Sequence, residues 1–230
     1  RLSLVGSEMC IRDRAKGAFA ALGAGFTVGA FTSQIQGAIK TMDDFGKAAA
    51  VMGVSTEAFS KLNYAAESSG ASTQLLTQSF NKLTAAMQDV AGGRSSKAGE
   101  TLKALGISVK TASGQLRSSD AVFRDLSDAF SKLPDSAEKS QLAISLFGEQ
   151  GTKMIPLLNA GTEGLEAMGA EAEKLGLVFS DDLAKSAAMF NDNMGKLKKA
   201  MDGTFARIAQ GLLPALNELT GTMVENAVSG

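Results

Sequence analysis

The chain has no histidine and no tryptophan, one cysteine, one tyrosine and three prolines in 230 residues. Without histidine it lacks the commonest general base and the commonest transition-metal ligand, which excludes most zinc chemistry and Ser-His-Asp hydrolysis within this span. One thiol, Cys10, cannot close an internal disulfide, so the fold must hold by packing. An excess of either charge is also missing. Lys and Arg number 23 against 24 Asp and Glu, for a formal net charge of -1, and no global field draws the chain toward nucleic acid or an anionic membrane. The densest basic run, Lys196 to Lys199, is interleaved with apolar positions, so no nucleic-acid specificity is evident.

With so few prolines, and with aromatics at only 6%, the composition favours helix and small side chains. Glycine, at 25 residues, supplies the punctuation. Gly53-Val54-Ser55, Gly70-Ala71-Ser72 and Gly106-Ile107-Ser108 repeat one connector, and Gly176-Leu177-Val178-Phe179-Ser180 is a longer form. Glycine ends a helix, the next side chain folds back on it, and serine offers its hydroxyl to the amides of the next element. Between connectors the apolar residues fall on single helical faces: Phe59, Leu62, Ala65 and Ala66; Leu76, Phe80, Leu83 and Met87; Val122, Leu126, Ala129 and Leu133. Asp135 and Glu138 have capping-box spacing, and Gly148 and Gly151 bracket a sharp reversal. One stretch breaks the rhythm. Ile107 and Val109 alternate with Ser108 and Lys110, and Gly114 lies in a short turn before Gln115-Leu116-Arg117. This predicts a miniature β-hairpin near 107–117 with Ile107, Val109 and Leu116 turned toward Val122 and Leu126.

The expected fold is therefore all-α, with helical hairpins joined by Gly-apolar-Ser turns, one small β-hairpin and a long C-terminal helix. Four segments are expected. Residues 1–14, RLSLVGSEMCIRDR, resemble translated read-through of a sequencing adapter and are set apart as an artefact. Residues 15–52 form an apolar, Gly-rich helical segment. Its run 17–32 carries no charge but falls short of the roughly 18 apolar residues of a membrane span, so a buried or partner-covered helix is expected, with membrane contact as the alternative. Residues 53–180 form a compact helical module, and 181–230 a long helix.

That last helix carries a measurable pattern. Phe190, Met194, Leu197, Met201, Phe205, Ile208, Leu212, Leu216, Leu219 and Met223 are separated by steps of 4, 3 and 4 residues, repeated. Eleven residues over three turns, about 3.67 per turn, call for a straight or slightly right-handed seam. A seam of this length calls for a partner, and self-association through it is expected. Asp181 and Asp182 suit the helix N-terminus, and Pro214 should kink or end the helix.

Possible chemistry is thin. Ser136 and Lys139 have the spacing of some acyl-enzymes, but capping explains them. Asp43/Asp44 and Asp181/Asp182 are sequence neighbours that point about 100° apart on a helix. GGRSSKAG near Gly92 lacks the order of a phosphate loop. The ten methionines lie mostly at core or seam positions. No catalytic, metal or cofactor site is expected.

The ordered series MGVSTEAFSKLNYAAESSGAS, LKALGISVKTASGQLRSSD, LFGEQG, PLLNAG, the helix containing FNDNMGKLKKAM, and GLLPALNEL resembles the tail tape measure proteins of long-tailed bacteriophages over most of Met52 to Leu219. The resemblance implies a structural protein in the lumen of the virion tail, made in the host cytoplasm. It would organise polymerisation of tail tube subunits, work with tail assembly chaperones, set tail length by its own length and assist genome passage. Members of that family are usually longer, so truncation at both ends is expected. A membrane-inserting helical protein is the alternative, and a peptidoglycan hydrolase fragment would need residues this span lacks.

Overall fold

The computed structural model describes residues 28–228, with side chains from 32 to 224. Residues 1–14, and the apolar run 17–32 as far as residue 27, lie outside the described residues. Nine α-helices are described: α1 Val28–Met52, α2 Thr56–Ser68, α3 Thr73–Ala91, α4 Lys97–Ala104, α5 Ser119–Ser131, α6 Ala137–Phe147, α7 Ile155–Leu158, α8 Gly161–Lys174 and α9 Asp181–Val228, with a 3-10 turn at Glu149–Met154 before α7. The chain divides inside α1. Residues up to Thr41 belong to one unit and Met42 to Gly230 to another. In the first, the described side chains are almost all exposed, Ile35 among them.

In the second unit, α2 to α8 enclose one core. Its largest fully buried side chains include Phe59, Phe80, Phe123, Phe130 and Phe147, with Leu76, Leu83, Met87, Leu102, Leu126 and Leu146 between them. Ala49 and Met52 at the end of α1 join it. The periodic faces explain the arrangement: each helix spends one stripe on the core and keeps its polar side in water. Helix α2 lies on α8, α3 on α6, and α5 on α8. Phe80 and Phe123 meet with ring centroids 4.8 Å apart, and Phe45 meets Phe59 edge to face at 5.0 Å. Aromatic pairs at such spacings add about 0.5–1.5 kcal/mol beyond the area they bury.

Local chemistry sets the helix ends. The hydroxyls of Ser55, Ser72, Ser96 and Ser136 each accept the backbone N–H three residues on, from Ala58, Leu75, Gly99 and Lys139. Thus Ser136, not Asp135, is the cap of α6. Asp135 instead accepts from Lys139 at 3.0 Å, and the same ammonium donates to the Leu133 carbonyl, which satisfies a lysine side chain only 3% exposed. Gly53, Gly70, Gly106, Gly114, Gly148 and Gly176 all take φ between 69° and 81°. At Gly106 the consequence is visible: its N–H reaches the Lys103 carbonyl at 3.0 Å and the next N–H, of Ile107, reaches Leu102 at 2.9 Å, which closes α4 and turns Ile107 inward.

Three expectations require correction. The connector pattern is not uniform, because Ser108 opens no helix; its hydroxyl donates to the Lys110 carbonyl instead. The β-hairpin does not form. Only one isolated antiparallel bridge, Lys110 to Leu116, joins the two arms, and no strand appears among the described residues. The arms are too short for a longer ladder: the Arg117 N–H reaches the Val109 carbonyl at 2.9 Å and the Thr111 N–H the Gln115 carbonyl at 2.8 Å, and side-chain anchoring does the rest. Ile107 and Val109 are buried while Leu116 is 45% exposed, and Arg117 ties the loop to α5 by donating to Asp125 at 2.6 Å and to the Ser108 carbonyl at 2.8 Å. Finally, of the kink or end expected at Pro214, the end does not occur: α9 runs through it to Val228. A proline removes one donor to the carbonyl four residues back, here that of Gln210, and the bonds on either side carry the helix across.

Candidate interaction surface

Helix α9 is the least buried element and the longest, at 48 residues, or about 70 Å at 1.5 Å per residue. It starts where the Ser180 hydroxyl accepts the Leu183 N–H at 3.2 Å. Its first three turns rest on the module. Ala184 and Ala187 are buried, and a Cβ built on Gly46 of α1 would stand 2.8 Å from the Ala184 Cβ, so the two helices touch where neither has a large side chain. Asp181 accepts from the Thr56 N–H at 2.7 Å and from its hydroxyl at 2.5 Å. These bonds hold the Asp181 carboxyl below its ordinary value, the Thr56 hydroxyl being the main cause. Asn191 donates to Asp43 at 2.9 Å, and Lys47 donates to the same carboxylate at 2.7 Å.

Beyond Asn191 every described side chain, from Asp192 to Val224, is exposed. The residues of the eleven-residue pattern, Phe190, Met194, Leu197, Met201, Phe205, Ile208, Leu212, Leu216, Leu219 and Met223, are 40% to 64% exposed. They form a stripe along the helix in which each side chain follows the next by one turn. Leu213 and Met189 flank it at 52% and 62%. Spacing alone does not single out these two, because they fall off the repeat. Exposed apolar surface in one continuous row makes this stripe the candidate contact surface.

Elsewhere the polar groups serve the fold. Asp128 is held below its ordinary value chiefly by accepting the Thr162 N–H at 2.7 Å, Asp135 by Lys139 and Asp89 by Arg94. The Lys82 ammonium donates to the Phe147 carbonyl at 2.8 Å, closing the end of α6 over Gly148. Gly151 lies in the 3-10 turn with its α-carbon against the Ala143 carbonyl, where any Cβ would collide with backbone. LFGEQG is thus a tight packing corner. Ser136 is a helix cap, and Lys139 is a buried lysine whose ammonium reaches out to the exposed Asp135 carboxylate. Asp43 and Asp181 do work across the fold that neighbour spacing could not show. A cleft of about 320 Å³ between α2, α5 and α8 is lined by Lys61, Arg124, Glu166 and Glu173, and Lys61 pairs with Glu173 at 2.5 Å across it. No group of acidic, Cys or His residues that could hold a metal is found among the described residues. No described helix is long and apolar enough to cross a membrane.

Fold and surface together define an all-α chain in which a compact helical module carries a long helix with a solvated apolar stripe. The chain belongs to the phage-related minor tail protein family, whose model matches residues 11–148, more than half of its length. The match runs from the N-terminal segment through α6 to the LFG corner and stops before α9. A search of curated proteins and one of solved structures return no match. Membership makes the chain a component of the phage virion tail, in a family of structural tail proteins.

Proposed function

We propose that this chain is part of the tape measure of a long-tailed phage or prophage, and that its work is structural and not enzymatic. In this reading it lies in the tail lumen, scaffolds polymerisation of tail tube subunits delivered with tail assembly chaperones, sets tail length and aids genome delivery at infection. The observation that carries the reading is α9, a 48-residue helix whose apolar stripe is solvated along most of its length. A helix converts residue number into distance at a fixed rise, and a row of exposed apolar side chains with no partner among the described residues supplies the contact that a surrounding or parallel partner would cover. Family membership supports the tail, and the linear geometry supports the ruler.

The test uses the intact gene. Deletion of residues 190–222 removes three eleven-residue repeats in register and about 50 Å of helix. Electron microscopy of the virions should show tails shorter by about that length, whereas unchanged tails would sink the reading. The stripe itself is tested by Leu212→Asp. Light scattering should show loss of association with itself or with tube subunits, while the circular dichroism of the module is kept.

A further inference from the structure

Two features of the α9 attachment have no role in a ruler. The first is its composition. No large apolar side chain described on α9 is buried; its buried side chains are Ala184 and Ala187, and the Ala184 methyl stands against Gly46 of α1. The second is that side-chain hydrogen bonds mark the two ends of this contact. Asp181 takes the N–H and hydroxyl of Thr56, and Asn191, about three turns on, gives its amide to Asp43. Between α8 and α9 the chain from Leu175 to Ser180 has no regular structure. Gly176 holds φ 70° with open space where a Cβ would be, and Leu175 and Leu177 are 58% and 42% exposed. Phe179 is the one bulky anchor, 5.6 Å from Phe45 at an edge-on angle, with its N–H on the Ser60 hydroxyl at 3.3 Å.

We propose that α9 is a latched arm: Thr56–Asp181 and Asn191–Asp43 hold its first three turns to the module, and their opening lets the arm swing about Leu175–Ser180 while the module stays folded. A contact made of alanine and glycine buries little apolar area, so the polar bonds decide its geometry. The module core, with five phenylalanines buried to 2% exposure or less, includes none of the α9 side chains beyond its third turn. Hinges are short element-terminal segments able to absorb large backbone changes, and Leu175–Ser180 has that form. Asp181 faces Thr56 and Glu57 from α2 and Lys185 on its own helix, and Asp43 faces Asn191 with Lys47 beside it. The arm can then change direction to meet a partner on its stripe without disturbing the phenylalanine core.

The full chain, carrying Cys10→Ser with spin labels at Lys103→Cys on α4 and Lys199→Cys on α9, diluted with unlabelled protein, reports the arm by electron–electron distance measurement. The parent should give one narrow distance distribution. Asp181→Ala with Asn191→Ala should broaden it at least about twofold, while amide exchange at Phe80 and Phe123 stays within about twofold of the parent. Thr56→Val with Asn191→Ala, which leaves Asp181 at the helix N-terminus and its bond from the backbone N–H of residue 56, should broaden it to a smaller extent. A narrow distribution that survives both double variants overturns the latch, and so does a parent that is already broad. Core amides that exchange about tenfold faster or more in both variants also overturn it, because the arm would then be part of the cooperative core.

Discussion

The module and the arm are both built of helix, yet they use their apolar residues in opposite ways. In α2 to α8 the stripes face each other, and Phe59, Phe80, Phe123 and Phe130 lose all contact with water. In α9 the stripe is at least as regular, but Phe205 is 63% exposed and Leu216 52%. The same periodicity produces a core in one place and a surface in the other. What differs is helix length. Helices α2 to α8 reverse after at most 19 residues and so return side by side, whereas α9 runs 48 residues without a reversal and leaves its neighbours behind after three turns. Apolar pattern predicts a face that needs covering; chain topology decides whether the chain itself covers it.

This contrast can be broken by substitution. Phe80→Ala should destabilise the module by about 3–5 kcal/mol, the range for truncating a fully buried phenylalanine, read as a lower denaturation midpoint. Gly151→Ala should follow at up to about 3 kcal/mol, because the new methyl must displace the backbone carbonyl of Ala143 in a packed corner. Ser96→Ala should remove about 1 kcal/mol by uncapping α4. Acid sharpens the comparison. Asp89, Asp128, Asp135 and Asp181 all have depressed values in the folded chain. Their stabilisation is therefore complete above the ordinary carboxylate value, about 4, and is lost as pH falls through the depressed folded values. A thermal midpoint that is level from pH 7 to about 5 and falls below about 4 is expected. Smallest of all, Phe205→Ala should change unimolecular stability by less than about 0.5 kcal/mol. A loss comparable to that of Phe80→Ala, in protein shown to be monomeric, would mean the stripe is covered within the chain.

Much of the module was legible because local rules and packing agree there. The stripes through Phe59, Leu76 and Val122 end up buried, and Ser55 and Ser72 cap α2 and α3 as their place in the connectors implies. The β-hairpin was misread because alternation in Ile107–Val109 reports burial of those two side chains, and burial can be met by an anchored loop as well as by a strand. Leu116 shows the difference: a two-strand ladder would have turned it inward, and the Arg117–Asp125 pair fixes the loop without it. Pro214 was a weaker stop than its chemistry suggests, because an exposed helix loses one hydrogen bond there and keeps those on both sides.

Some properties needed only the sequence. Without histidine, with one cysteine and with apolar residues at helical spacing, the chain was bound to be helical and to hold by packing. The eleven-residue stripe is a property of order along the chain, since helical rise and twist are fixed per residue. Only the tertiary structure decided which carboxylates matter. Asp181 and Thr56 are 125 residues apart, and Asn191 and Asp43 are 148 apart. No local propensity encodes such pairs. They exist because the core first brings α1, α2 and the start of α9 together, and a hydrogen bond can form only between groups already held within about 3 Å.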